Sequence, residues 1–91
     1  MTNSNFTMTP YISIITKHYY SGNGASRFSA ITYDNKKKVR IARDYSISID
    51  DNHKLAAKQL ADKIGIKGKF IGGYIGNMKC AFICQNIIAT E

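Results

Sequence analysis

The chain has 91 residues, with 13 lysines and arginines against 6 acidic residues, a formal net charge of +7 and a pI near 9.6. That length supports one modest domain and excludes a second. The charge makes phosphates and acidic protein surfaces the natural partners, with plain solubility as the competing account.

Residues 1–10 are polar and without pattern, ending at Pro10, the only proline. They read as a disordered tail ahead of a single basic α+β domain over residues 11–91. Tyr11 to Tyr20 is rich in β-branched and aromatic residues and predicts a first strand, with Ile12, Ile14 and Thr16 facing the core and Tyr11, Ser13, Lys17 and Tyr19 facing away. The glycines of Ser21-Gly22-Asn23-Gly24-Ala25-Ser26 suit a flexible connection to a second strand, Arg27 to Tyr33.

Asp34-Asn35-Lys36 predicts a tight reversal into a third strand. There, Lys36-Lys37-Lys38-Val39-Arg40-Ile41-Ala42-Arg43 holds five of the thirteen basic residues. Its alternation sends Val39 and Ile41 inward and leaves Lys38 and Arg40 in water. Residues 43–49 read as irregular chain leading to Asp50-Asp51, the expected cap of a helix from about residue 51 to Ile64. His53, Ala56, Ala57, Leu60, Ala61 and Ile64 share one helical face, and Gly65 is the expected left-handed stop, followed by Ile66. A second hairpin follows, Lys69 to Ile75 and Met78 to Ile87, around a Gly76-Asn77 turn. Gly72-Gly73 predicts a bulge, a bend or a close approach by another backbone.

The expected fold is therefore an antiparallel sheet in the order β-β-β-α-β-β, with one helix packed on one face and the other face partly open. No apolar run approaches the ~20 residues that cross a bilayer, and the start of the chain lacks a secretory signal pattern, so a cytoplasmic location is expected. Cys80 and Cys84, four residues apart on one strand, are too far apart for a disulfide and read with Phe82 as an inward face of free thiols.

Chemistry that would make an enzyme is hard to assemble from these residues. Asp34, Asp50, Asp51, Asp62 and Glu91 have turn, helix or terminal positions, leaving Asp44 without an evident structural task. Cys80-x-x-x-Cys84 with His18 and His53 lacks the spacing of a zinc site, so no metal and no cofactor are expected. His53 reads as a half-buried helix residue with satisfied nitrogens. Leu55 lies nearly opposite the buried helical stripe, where it suggests a partner or homodimer contact.

Two stretches carry a resemblance. Ile14-Ile15-Thr16-Lys17-His18-Tyr19 with Gly24-x-Ser26-Arg27 and Ala30, then Asn52-His53-x-x-Ala56-Ala57-x-x-Leu60-Ala61-x-Lys63-x-Gly65, resembles small uncharacterised proteins of bacteriophages and prophages, over residues 12 to about 76. The resemblance implies an accessory protein acting in a host bacterial cell, with anti-CRISPR or similar counter-defence as the most concrete role. A basic chain does not suit DNA mimicry, so the implied inhibitor covers an acidic groove or touches nucleic acid.

The expected function is that of a non-enzymatic binding protein that engages a host protein or nucleoprotein complex. The expected contacts are Lys36, Lys37, Lys38, Arg40 and Arg43, supported by Arg27 and Tyr33. The alternative is direct binding of RNA or single-stranded DNA by a tyrosine-bearing basic sheet face, because rings stack on bases while cations take phosphates.

Overall fold

Alternating apolar residues build the first half of the chain into the expected meander. The structure, a computed structural model, describes residues 12–84 and the backbone of residues 88–89. The expected tail, Tyr11 and the end of the last long strand at 85–87 lie outside the described residues. Strands β1 (Ser13–Tyr20), β2 (Ser26–Thr32) and β3 (Lys38–Ala42) pair antiparallel in sequence. Ile14, Thr16 and His18 of β1 are buried with Ser26, Phe28, Ala30 and Thr32 of β2, and Val39 and Ile41 of β3 pack beside them. At the β2–β3 reversal Asn35 adopts φ 64, a left-handed conformation that asparagine tolerates. There the Thr32 hydroxyl at 2.7 Å and the Lys36 amide at 3.1 Å donate to Asp34. These bonds, the hydroxyl's above all, hold the Asp34 carboxyl below its ordinary pKa.

Helix α1 spans Ile49–Ile64 and starts two residues before its expected beginning. The cap is Ser48 rather than the aspartates: its hydroxyl accepts the Asp51 amide at 3.0 Å, while Asp50 and Asp51 occupy the first turn, beside the positive end of the helix. Gly65 ends the helix at φ 77, as its position predicts. Asn52, His53, Ala56, Ala57, Leu60 and Ala61 are buried against the sheet. Of these, only Asn52 falls outside the expected stripe. Its amide explains why: Oδ1 accepts the Asp44 amide at 2.8 Å, and Nδ2 donates to the Asp44 and Ser48 carbonyls, both at 2.9 Å. Asp44 has a structural task after all, since its carboxylate accepts the Ser46 amide and hydroxyl and is thereby held at a lowered pKa. Leu55 is half-buried rather than standing in open water.

After the helix come β4 (Ile66–Lys67), β5 (Phe70–Gly76), β6 (Lys79–Cys84) and β7 (Ile88–Ala89). β4 and β7 form a separate two-stranded ribbon that residue pattern does not predict, since two-residue strands carry no periodicity. The β5–β6 turn falls on Asn77 and Met78, one residue later than expected, because a register shift between Tyr74 and Gly76 absorbs an extra residue. Met78 takes φ 66 there. β6 lies beside β1, giving the sheet order β3-β2-β1-β6-β5, all antiparallel.

The core is one cluster in which Ile14, Phe28 and Leu60 are wholly buried, joined by the helix alanines, Cys80 and Phe82. Each large apolar side chain so buried contributes about 1.5–3 kcal/mol. Cys80 and Cys84 are buried free thiols on the inward face of β6, as expected. Gly72 lies directly opposite Phe82, and a Cβ there would come within 2.2 Å of the ring. The close approach expected at this glycine is made both by the Phe82 ring and by the β6 backbone, whose Ala81 carbonyl oxygen would lie 2.8 Å from that Cβ. Among the described residues, no helix is long and apolar enough to cross a membrane.

Candidate functional site

The helix covers one sheet face, and strand register decides what the other presents. Reading across β3, β2, β1 and β6, Arg40 pairs with Ser29, Ser29 with Lys17, and Lys17 with Lys79. The next row is Ala42, Arg27 and Tyr19 on one side, and Lys38, Ile31, Ile15 and Ala81 on the other. A last row sets Ser13 against Ile83 and Ile71. Tyr33 lies at the same end, its amide donating to the Ser13 carbonyl at 3.2 Å. The face thus divides into a cationic half and an apolar half.

Four cations, Lys17, Arg27, Arg40 and Lys79, share the first half, and Lys38 adds a fifth at the β3 end of the adjoining row. The described carboxylates lie elsewhere: Asp34 in a turn, Asp44 in the loop before α1, and Asp50, Asp51 and Asp62 on the helix. Among the described residues the ion pairs are Lys54 with Asp51 and Lys58 with Asp62, both on α1. Among the described residues, no carboxylate compensates the charge on the open face. With strands about 4.8 Å apart, the row from Arg40 to Lys79 spans roughly 14 Å. Lys17 and Lys79 stand directly opposite each other, a like-charge pairing that costs sheet stability up to about 1 kcal/mol.

The seven expected contact residues do not form one patch. Lys38, Arg40 and Arg27 share the open face, Tyr33 sits at its apolar end 69% exposed, and Lys36 and Lys37 are exposed at the hairpin tip. Arg43 continues the alternation of Val39 and Ile41 and so belongs to the helix side. Its guanidinium lies 4.6 Å over the Tyr45 ring, with Nε buried and unbonded. Lys17 faces outward as its alternation predicts, and Lys79, outside the expected contact set, joins it on the same face. Alternation with Cys80 points Lys79 outward, but only the pairing of β6 with β1 brings it beside Lys17.

Beneath the helix lies a second polar cluster. Phe28 is stacked on His18 at 4.5 Å and meets His53 edge-on at 4.9 Å. His18 Nε2 and the Ser26 hydroxyl share a hydrogen bond of 2.6 Å, and His53 Nδ1 and the Thr16 hydroxyl one of 2.7 Å. His53 is 1% exposed and its Nε2 has no partner, so it is neither half-buried nor fully satisfied. Burial pushes the pKa of both imidazoles down. The Arg43 guanidinium adds to this at His18, and His18 itself adds to it at His53. Burial likewise raises the Cys80 thiol, which disfavours the thiolate. Tyr74 donates its hydroxyl to Asp50, a bond that pushes its own pKa up to about 12. No three or more His, Cys, Asp or Glu side chains among the described residues are grouped to hold a metal ion.

A groove of about 530 Å³ opens between α1 and the β4–β5 region, floored by Ala57, Ala61, Phe70 and Phe82 and rimmed by Lys54, Lys58 and Lys67. Lys54 and Lys58 are already committed to aspartates. The open face is the stronger candidate because, among the described residues, its cations have no such partners. Comparison with known proteins finds no match to this chain among family models, curated proteins or solved structures.

Proposed function

We propose that this chain is a non-enzymatic binding protein whose open sheet face docks on an anionic surface of a nucleoprotein complex. The observation that carries the reading is the cross-strand row Arg40, Ser29, Lys17, Lys79, in which two lysines oppose each other with no carboxylate on the face among the described residues. A fold gains nothing from that arrangement, whereas an anionic partner relieves it, and departures from local rules of this kind mark functional surfaces. The apolar half, with Ile71 55% and Ile83 44% exposed, supplies area that a purely electrostatic contact lacks. A counter-defence role in a phage-infected cell remains what the resemblance of residues 12 to about 76 implies.

A second reading, direct binding of single-stranded nucleic acid, is favoured by Tyr19 standing opposite Arg27, a ring and a guanidinium side by side on the open face. Affinity capture from bacterial lysate separates the two, using wild type and the double variant Lys17→Glu/Arg40→Glu, each with and without nuclease. The first reading expects a discrete set of proteins that survives nuclease and is lost with the variant. The second expects nuclease to empty the wild-type capture and the purified chain to bind RNA alone. Retention indifferent to the variant contradicts both.

A further inference from the structure

We infer that β5 is a self-association edge, which pairs antiparallel with β5 of a second copy to join two five-stranded sheets into one. β5 is the outermost strand at its end of the sheet, and among the described residues it pairs with β6 alone. No other described strand takes up its outward N–H and C=O groups, which can template another strand. The two edges of this sheet differ. β3 carries Lys38 and Arg40, charges of the kind that guard an edge, whereas β5 reads Phe-Ile-Gly-Gly-Tyr-Ile-Gly without lysine, arginine, acid or proline.

Exposure follows the same division. Ile71, Tyr74 and Ile75 are 55%, 54% and 57% exposed, and Ile83 beside them is 44% exposed. In a chain of net charge +7, this edge is where two copies can meet without opposing lysines. A second copy fits because antiparallel pairing of one strand with itself is twofold-symmetric, each residue meeting its counterpart. Pairing centred on Gly73 sets Tyr74 opposite Gly72, an aromatic against a glycine, within the regular stretch that precedes the register shift between Tyr74 and Gly76. Such a contact buries less than the roughly 1,600 Å² of a standard interface, so dissociation is expected in the micromolar to sub-millimolar range. The twofold axis stands perpendicular to the sheet, which puts both cationic faces on the same side. On the reading of that face given above, the dimer offers one doubled surface to an extended polyanion.

Sedimentation equilibrium of the purified chain, without any polyanion, tests the pairing from about 5 μM to about 1 mM, the range set by the interface size. A monomer–dimer equilibrium is expected. A Cβ at Gly73 meets no heavy atom within 4 Å, so Gly73→Lys leaves the monomer folded while placing a charge at the centre of the edge. It is expected to weaken the dimer at least about tenfold, and Gly73→Val, a better strand former, to tighten it several-fold. Monomer throughout overturns the inference, leaving the edge to a strand of some other protein. A dimer indifferent to Gly73→Lys, or abolished instead by Leu55→Lys, overturns it in favour of another face. Failure here leaves the anion-docking reading standing, because no anion enters the experiment.

Discussion

Adjacent glycines of β5 offer a sharp test of how the sheet is packed, because alanine is expected to have opposite effects at the two positions. At Gly72 a Cβ would lie 2.2 and 2.5 Å from two carbons of the Phe82 ring and 2.8 Å from the Ala81 carbonyl oxygen. Carbon atoms in contact ordinarily sit about 3.5–4.0 Å apart, so ring or strand must retreat by roughly 1.5 Å. Phe82 is 8% exposed within the core and Ala81 contributes backbone, so neither yields freely, although the groove beside the ring offers some room. Overpacking of this kind costs about 1–3 kcal/mol, offset by about 0.4–1 kcal/mol from the stiffer unfolded chain. Gly72→Ala should therefore lose about 1.3 kcal/mol at the centre of these ranges, a fall in Tm of about 5–10 °C for a domain of this size. At Gly73 nothing lies within 4 Å of a Cβ and φ is not left-handed, so Gly73→Ala should gain about 0.4–1 kcal/mol. Urea unfolding at low micromolar protein, followed by far-UV circular dichroism, reads both. Shifts of the same sign would refute the placement of Phe82 over Gly72.

Stability should also report the imidazoles flanking Phe28. Both have folded pKa values below the ordinary 6.5, so the unfolded chain takes up protons first on acidification. Their contribution is complete above pH 6.5 and is lost as pH falls from there through the depressed folded values. The slope is at most about 1.4 kcal/mol per pH unit for each imidazole. Urea midpoints that do not change between about pH 7.5 and pH 5 would contradict this. Asp34 and Asp44, also depressed, act only near and below 3.8 and do not confuse that window. Asn52→Ala strands the Asp44 amide and carbonyl and should cost roughly 2–4 kcal/mol, with faster amide exchange across residues 44–48. Unchanged exchange there would remove Asn52 as the anchor of the loop.

Much of the fold was legible wherever one residue pattern answered to one force. Alternation in Val39 and Ile41, the alanine-rich stripe on α1 and the glycine stop at Gly65 all predicted their elements because burial and backbone sterics act locally. Asn52 was not legible as a core residue: its place depends on the loop it holds, and a polar side chain carries no hydrophobic period. The helix cap moved to Ser48 because serine and aspartate compete for the same role within three positions. Arg27, Lys38 and Arg40 were legible as one surface from alternation alone. Lys79 was not, because sheet order brings it there: β6 returns beside β1, across more than fifty intervening residues. Arg43 is near the other cations in sequence only, because the same alternation that exposes Arg40 turns it to the other side.

On the proposed reading, the cations of the open face act together as one cationic surface that docks an anion. The most direct measurement follows ¹⁵N-labelled chain by NMR as a single-stranded RNA is added, a probe that samples anion binding whatever the cellular partner. Amide shifts are expected to concentrate on residues 15–19, 27–31, 38–42 and 79–81, with affinity falling roughly 100-fold between 50 and 200 mM salt if all five cations meet phosphates. Shifts centred on α1 or on the Lys36–Lys37 hairpin tip, or an affinity unchanged by Lys17→Glu/Lys79→Glu, would contradict the claim.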